Sequence, residues 1–308
     1  SSSSPFPGPI HDTKFMNETA LAGMFSIFTA MSTGTFSVIV RRGGHHANAV
    51  TGVLIGLMVT VPPLAALCWA LWEPGWWNPR VWVLLAAGGL LGPAIARVLY
   101  FSAIHHLGVA RAMPLLSTMP LFAAIFGVGM LGERPGPFIW AGTFLIVLGC
   151  IVITHKKAGD KSWSRGHLWI PILGVMMFST SLVFRKAGVE MVGSPLMAIT
   201  VMSASGMVFL ALLARLLPAG QRPQLDRPEA WRFYTASGAI NALAMFFLFV
   251  GLSYGDLTIV TPLSATAPLF SLLLSRFVLK EDERVTFIIV AGTLLIVLGV
   301  GIISWRIF

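Results

Sequence analysis

Ala141-Gly142-Thr143-Phe144-Leu145-Ile146-Val147-Leu148-Gly149 returns almost unchanged as Ala291-Gly292-Thr293-Leu294-Leu295-Ile296-Val297-Leu298-Gly299, the two copies differing only at Phe144 against Leu294. A longer self-match lies upstream, where the stretch from His106 to Phe122 runs in register with the stretch from Tyr254 to Phe270. Pro114 falls on Pro262, Pro120 falls on Pro268, and each second proline is followed by Leu-Phe. Glu133 then falls on Glu281 at the same offset. Apolar helices often match by chance, but chance does not keep prolines, a glutamate and two glycines in one register. The chain therefore reads as an internal repeat, a frequent plan among membrane transporters.

Outward from these stretches the chain is a series of apolar runs. A helix needs roughly 20 apolar residues to cross a bilayer. Runs of that order lie at 19–40, 48–71, 81–104, 110–131, 136–154, 167–187, 195–217, 230–252, 257–279 and 285–305. The expected fold is all-α and polytopic, with ten transmembrane helices in two five-helix repeats. Five is odd, so the second repeat enters the membrane from the opposite side and the repeats are inverted. The expected division is a tail at 1–17, a first repeat at 18–155, a linker at 156–165 and a second repeat at 166–308.

Composition agrees. Hydrophobic residues make up 56% of the chain, charged residues 11%, and the mean hydropathy is +0.82. Soluble domains carry roughly 25% charged residues. The net charge of +9 sits in short gaps between apolar runs, which indicates membrane topology rather than a nucleic-acid surface. Cys68 and Cys150 lie far apart inside apolar runs, so no disulfide framework or metal spacing is present. Trp69, Trp72, Trp76, Trp77 and Trp82 cluster at one loop and read as an interfacial aromatic belt. With the N-terminus on one side, that side receives Lys14, Arg80, Arg134, Arg185, Lys186 and Arg306, and all the remaining Lys and Arg except Arg97 fall on the other. The positive-inside rule then makes the richer side cytoplasmic and both termini periplasmic.

Two repeats of five spans, a proline-rich fourth span in each, a glutamate just after it and a Gly-x6-Gly fifth span together resemble the drug/metabolite transporter superfamily, EamA type. The resemblance covers about residues 18–306 and is carried best by 106–154 and 254–303. It implies an inner-membrane transporter of small metabolites, amino acids among them, that exports by alternating access. Relatives that carry nucleotide sugars or sugar phosphates keep a phosphorylated substrate open as an alternative.

Arg97, inside the third span, is the leading candidate for substrate contact. A charge there costs roughly 2.5–3.5 kcal/mol on insertion scales and marks a cavity or a partner, unless the side chain snorkels to the interface. Pro93, Arg97 and Tyr100 share one helical stripe. In the repeat register Pro93 falls on Asn241 and Arg97 on Met245, so the eighth span carries a corresponding stripe of Gly238, Asn241 and Met245. The expected substrate site is Arg97, Tyr100, Ser117, Asn241, Met245 and Ser264, suited to a zwitterion or anion. Pro114, Pro120, Pro262 and Pro268 are candidate gates; each removes a backbone donor and kinks its helix, and Ser117, Thr118, Ser264 and Thr266 are placed to satisfy the freed carbonyls. Glu133 and Glu281 are expected to cap the helix that follows or to pair with an arginine. Gly142, Gly149, Gly292 and Gly299 read as packing devices, within the bundle or in a dimer. His105 and His106 read as interfacial, and Asp282 and Glu283 as a solvated loop face.

Absences narrow the classes. No Asp or Glu lies within a span, which disfavours cationic drugs and coupling through a buried carboxylate. No second Lys or Arg is expected on the cavity wall, which tilts the reading to a single carboxylate over a phosphate. No phosphate-binding glycine loop and no nucleophile or metal motif is present, so neither an enzyme nor a cofactor is expected. The partners are then the bilayer and a small solute, with the chain a monomer or homodimer and no nucleic acid involved. A lipid-headgroup translocase is the remaining alternative.

Overall fold

The computed structural model describes residues 9–43, 48–107, 115–154, 165–218, 220, 222–278 and 287–307. These residues are helical with short connections, and no strand occurs among them. Helix α1 is Pro9–Gly43 and α2 is Ala49–Ala70. Pro79–Gly89, Leu90–Ala96 and Arg97–Leu107 run on as α3 (79–107). Then come α4 (Met119–Leu131), α5 (Pro137–Thr154), α6 (Trp169–Val192), α7 (Pro195–Leu216) and α8 (Pro228–Tyr254). Helix α9 is broken into Leu257–Ser264 and Ala267–Val278, and α10 is Phe287–Ile307.

Local sequence sets these bounds. Asn48 and Ser194 accept from the amides of Thr51 and Met197 at 2.9 and 3.3 Å, satisfying donors that a helix start leaves open. Prolines follow the caps at Pro79, Pro195 and Pro228, where the missing N–H costs nothing. Gly193, with φ of 69°, terminates α6 in the left-handed region that favours glycine.

Among the described residues, six helical segments are long and apolar enough to cross a membrane: Glu18–Ile39, Val50–Ala70, Pro79–Tyr100, Gly166–Val192, Pro195–Leu216 and Pro228–Tyr254. Four shorter apolar stretches accompany them, at Met119–Leu131, Pro137–Val152, Leu257–Ser271 and Ala291–Ile303. The outer faces expose Leu67, Val83, Phe144, Leu216 and Trp305, a surface that only lipid solvates well. The protein is thus a polytopic helical membrane protein.

The prolines act where the repeat places them. In α4 a turn at Ser117-Thr118 precedes Pro120, and in α9 a turn at Ala265-Thr266 precedes Pro268. Thr118 Oγ1 donates to the Leu115 carbonyl at 2.6 Å, and Thr266 Oγ1 donates to the Leu263 carbonyl at 2.8 Å. The same side chain thus repairs the same break in both stretches.

The main contacts between the two parts of the chain pair up. Helix α1 packs on α8 and α6 on α3; α2 packs on α8 and α7 on α3; α1 packs on α9 and α6 on α4. Helices α5 and α10, which hold the repeated nonapeptide, lie against each other. A Cβ at Gly142 would fall 2.7 Å from the Gly299 carbonyl, and one at Gly149 would fall 2.6 Å from the Gly292 carbonyl. Exchanging the copies turns the first contact into the second. The glycines therefore serve the bundle interior.

Two expectations are corrected. Arg185 and Lys186 are not at a loop: α6 continues to Val192, and both side chains are buried, at 2% and 6% exposure. Along this continuation Lys186 pairs with Glu190 one turn on, at 2.9 Å. Removing both from the poorer side sharpens the Lys/Arg bias. Among the tryptophans, Trp69 and Trp77 are exposed as an interfacial belt requires, but Trp76 is buried in the core beside Val81 and Met197. The Trp82 indole donates to its carbonyl at 3.0 Å.

Gly149→Val places two methyl groups where the Gly292 carbonyl and Ile296 already lie, an overpacking worth about 1–3 kcal/mol. Thermal unfolding in detergent is expected to show a clear fall in midpoint for this variant. Gly301→Ala, with nothing within 4 Å of its added methyl, is expected to leave the midpoint unchanged.

Candidate functional site

A small, partly open cavity of about 30 Å³ lies between α2, α3, α6, α7 and α8. Its wall includes Pro93, Arg97, Arg185, Asn241, Met245 and Phe249. The two stripes expected from the repeat, on α3 and α8, therefore meet at one space.

Arg97 reaches the cavity because α3 changes winding just before it. Residues Leu90–Ala96 form a π-helical stretch around Pro93. Proline cannot donate to the carbonyl one turn back, and the wider turn relieves the clash of its ring with that carbonyl. Close packing holds the distorted stretch. A Cβ at Gly206 of α7 would lie 2.6 Å from Pro93 Cγ, so only glycine lets the helices approach there. On the other side Ser181 of α6 donates to the Gly88 carbonyl at 2.8 Å.

Arg185 enters the same space from α6. Its guanidinium carbon lies 4.7 Å above the centre of the Phe249 ring, a cation–π contact. Nη1 lies 3.7 Å from the Met245 sulfur. Nε is buried and has no hydrogen-bond partner. Arg97 and Arg185 are close enough to interact electrostatically, as are Arg97 and Tyr100. Neither arginine forms an ion pair with a carboxylate among the described residues. The expectation of a single cation on the cavity wall is therefore corrected. The sequence signal was present: a helix that runs on through Glu190 to Gly193 puts Arg185 two turns inside.

The other expected residues are placed as follows. Arg97, Asn241 and Met245 line the cavity. Tyr100 lies one turn further along α3 and is not part of its wall. Ser117 and Ser264 sit by the breaks preceding Pro120 and Pro268, away from it, and Pro262 lies within α9. Pro114, Glu281, Asp282 and Glu283 lie outside the described residues, as do the side chains of His105, His106 and Pro268.

A second charged cluster lies at the corner between α8 and α9. Lys186 Nζ donates to the carbonyls of Leu252 and Gly255 at 2.9 and 2.8 Å, holding the last turn of α8. Glu133, 8% exposed, accepts from the amides of Leu257 and Thr258 at 2.7 and 2.9 Å, holding the first turn of α9. It does not cap the helix that follows it; Asp256 makes no side-chain cap on α9, and Glu133 serves that helix from the other part of the chain. A cation and an anion thus pin the two ends of one corner.

A polytopic helical bundle with a cavity lined by two arginines is suited to holding a small solute. Comparison with known proteins gives the family. The model of the EamA-like transporter family matches residues 21–155 and 164–305, and the chain belongs to that family. It is 26% identical over 255 residues to the "Putative ribose uptake protein RbsU" of Lactiplantibacillus plantarum, covering 78% of this chain and 79% of that protein. It is 27% identical over 167 residues to the uncharacterized transporter YwfM of Bacillus subtilis, covering 48% of this chain and 56% of that one. A solved crystal structure shares the fold with a TM-score of 0.75 at 20% identity, over 92% of this chain and 96% of that one.

Burial pushes the Glu133 carboxyl above the usual glutamate range, against the pull of the Thr258 and Leu257 amides. The folded protein then holds a proton on Glu133 at pH values where the unfolded chain has lost it, so this residue's contribution to stability falls as pH rises through that window. Glu133→Gln, which keeps one acceptor and cannot titrate, is expected to flatten that part of the dependence. Unfolding midpoints measured from pH 4.5 to 7.5 check it.

Proposed function

We propose that this chain is a secondary transporter that moves small carboxylate metabolites, amino acids among them, outward across a bacterial inner membrane by alternating access. In this reading ten helices cross the bilayer as two inverted five-helix repeats, 18–155 and 166–308, joined by a linker at 156–165. The paired contacts of α1 with α8 and α6 with α3, and the reciprocal glycine contacts of α5 with α10, support it. So does the matched repair of the breaks by Thr118 and Thr266. The positive-inside rule, sharpened by the burial of Arg185 and Lys186, favours a cytoplasmic linker and periplasmic termini.

One observation carries the substrate reading: Arg97 of the first part and Arg185 and Asn241 of the second face a single cavity. Guanidiniums recognise carboxylates through paired N–H donors. Asn241 adds a neutral polar group, and Met245 and Phe249 suit an apolar body. Tyr100, Ser117 and Ser264 stand outside this cavity wall and are proposed as contacts on the path to and from it. The kinked stretches at Pro114, Pro120, Pro262 and Pro268 are proposed as gates, one set per repeat. Arg185 also strengthens the alternative of a phosphorylated solute, because phosphate engages two arginines readily.

Uptake of labelled amino acids and carboxylates into liposomes holding the purified protein tests the reading. Saturable flux is expected for at least one carboxylate solute, with Arg97→Ala lowering it about tenfold or more at unchanged folding. Flux that survives Arg97→Ala would assign Arg97 to the membrane interface and remove the anchor from this site.

A further inference from the structure

Resting on that reading, we propose that the cavity is built for a solute with two negative charges, a dicarboxylate or a phosphate ester, and that Arg185 selects the second charge.

The argument starts from how Arg185 is held. At 2% exposure it cannot reach bulk water. One face of its guanidinium is covered by the Phe249 ring, and Nη1 touches the weak acceptor of Met245. Neither contact uses a strong hydrogen bond. A guanidinium carries five N–H donors in a planar fork. Here the fork is fixed by stacking while the buried Nε stays unpartnered. A salt bridge that served only the fold would have a carboxylate opposite it. Lys186, the next residue, shows that pattern, with two carbonyls and Glu190 around its ammonium. Successive residues of one helix thus separate two roles: Lys186 is spent within the fold, and Arg185 is not.

Charge balance then sets the class of solute. Arg97 and Arg185 interact electrostatically and line one cavity whose other walls are neutral. Burying like charges together is costly unless counter-charge arrives. A monocarboxylate neutralises one guanidinium and leaves the other. A neutral amino acid brings its own ammonium, and no Asp or Glu lines the cavity to receive it. A neutral sugar brings acceptors without charge. Two carboxylates, or one doubly charged phosphate, neutralise both arginines and supply strong acceptors to both forks.

The experiment is counterflow in liposomes at pH 7, using labelled succinate, glycerol 3-phosphate, lactate, alanine and ribose as probes. Wild-type protein is expected to exchange succinate or glycerol 3-phosphate at least tenfold more efficiently than lactate, alanine or ribose; whichever of the two moves identifies the source of the double charge. Arg185→Gln is expected to weaken the dianion at least tenfold and lactate by a smaller factor, so that the preference for the dianion falls. Arg185→Lys is expected to fall between them, keeping the charge and losing the fork. Unfolding midpoints separate this role from a structural one. Arg185→Gln removes an uncompensated buried charge, so its midpoint is expected to hold or rise, and the dianion should raise the midpoint of wild type more than that of the variant. Lactate or alanine exchanged as well as the dianions would overturn the inference and leave carboxylate transport standing. Ribose flux with no anion flux would overturn both. Unchanged dianion exchange in a folded Arg185→Gln would overturn the role of Arg185.

Discussion

Two guanidiniums share one cavity, while the other buried charges among the described residues are already matched, and this imbalance constrains how the rest of the molecule is read. Lys186 is neutralised by Glu190 and two carbonyls, and Glu133 is bonded to two helix amides. Arg97 and Arg185 receive a π-helical turn, an aromatic face and a thioether, but no carboxylate among the described residues. In an apolar bundle such an arrangement is unfavourable by itself. In the proposed reading it becomes favourable when an anion enters.

The packing keeps the space open between α3, α6 and α8. Glycines bring α5 against α10 and α3 against α7, so those helices pack closely. The corner of α8 and α9 is pinned by Lys186 from within the second part of the chain and by Glu133 from the first.

Much of this was legible in the sequence because lipid imposes strict rules. Backbone groups in a bilayer must be satisfied within the helix, so spans appear as apolar runs and their ends as caps, prolines and glycines. The self-match placed the breaks before Pro120 and Pro268, and it set Arg97 and Asn241 on facing stripes. The place of Arg185 was easy to misread for a physical reason. It lies next to a second cation and near Glu190, a cluster that resembles the edge of a membrane span. Only the continued helix separates the two cations by their angle around the axis, turning Arg185 to the cavity and Lys186 to the α8–α9 corner. Glu133 was misassigned for a related reason: a cap on a neighbouring chain segment leaves no trace in local spacing, whereas a cap on the next helix does.

Diffraction from crystals soaked in selenate, a small dianion with an anomalous signal, tests the central claim most directly. A strong anomalous peak between Arg97 and Arg185, lost in Arg185→Gln crystals, is the predicted result. Peaks confined to the exposed basic loops, with nothing between the two guanidiniums, would contradict an anion site in this cavity.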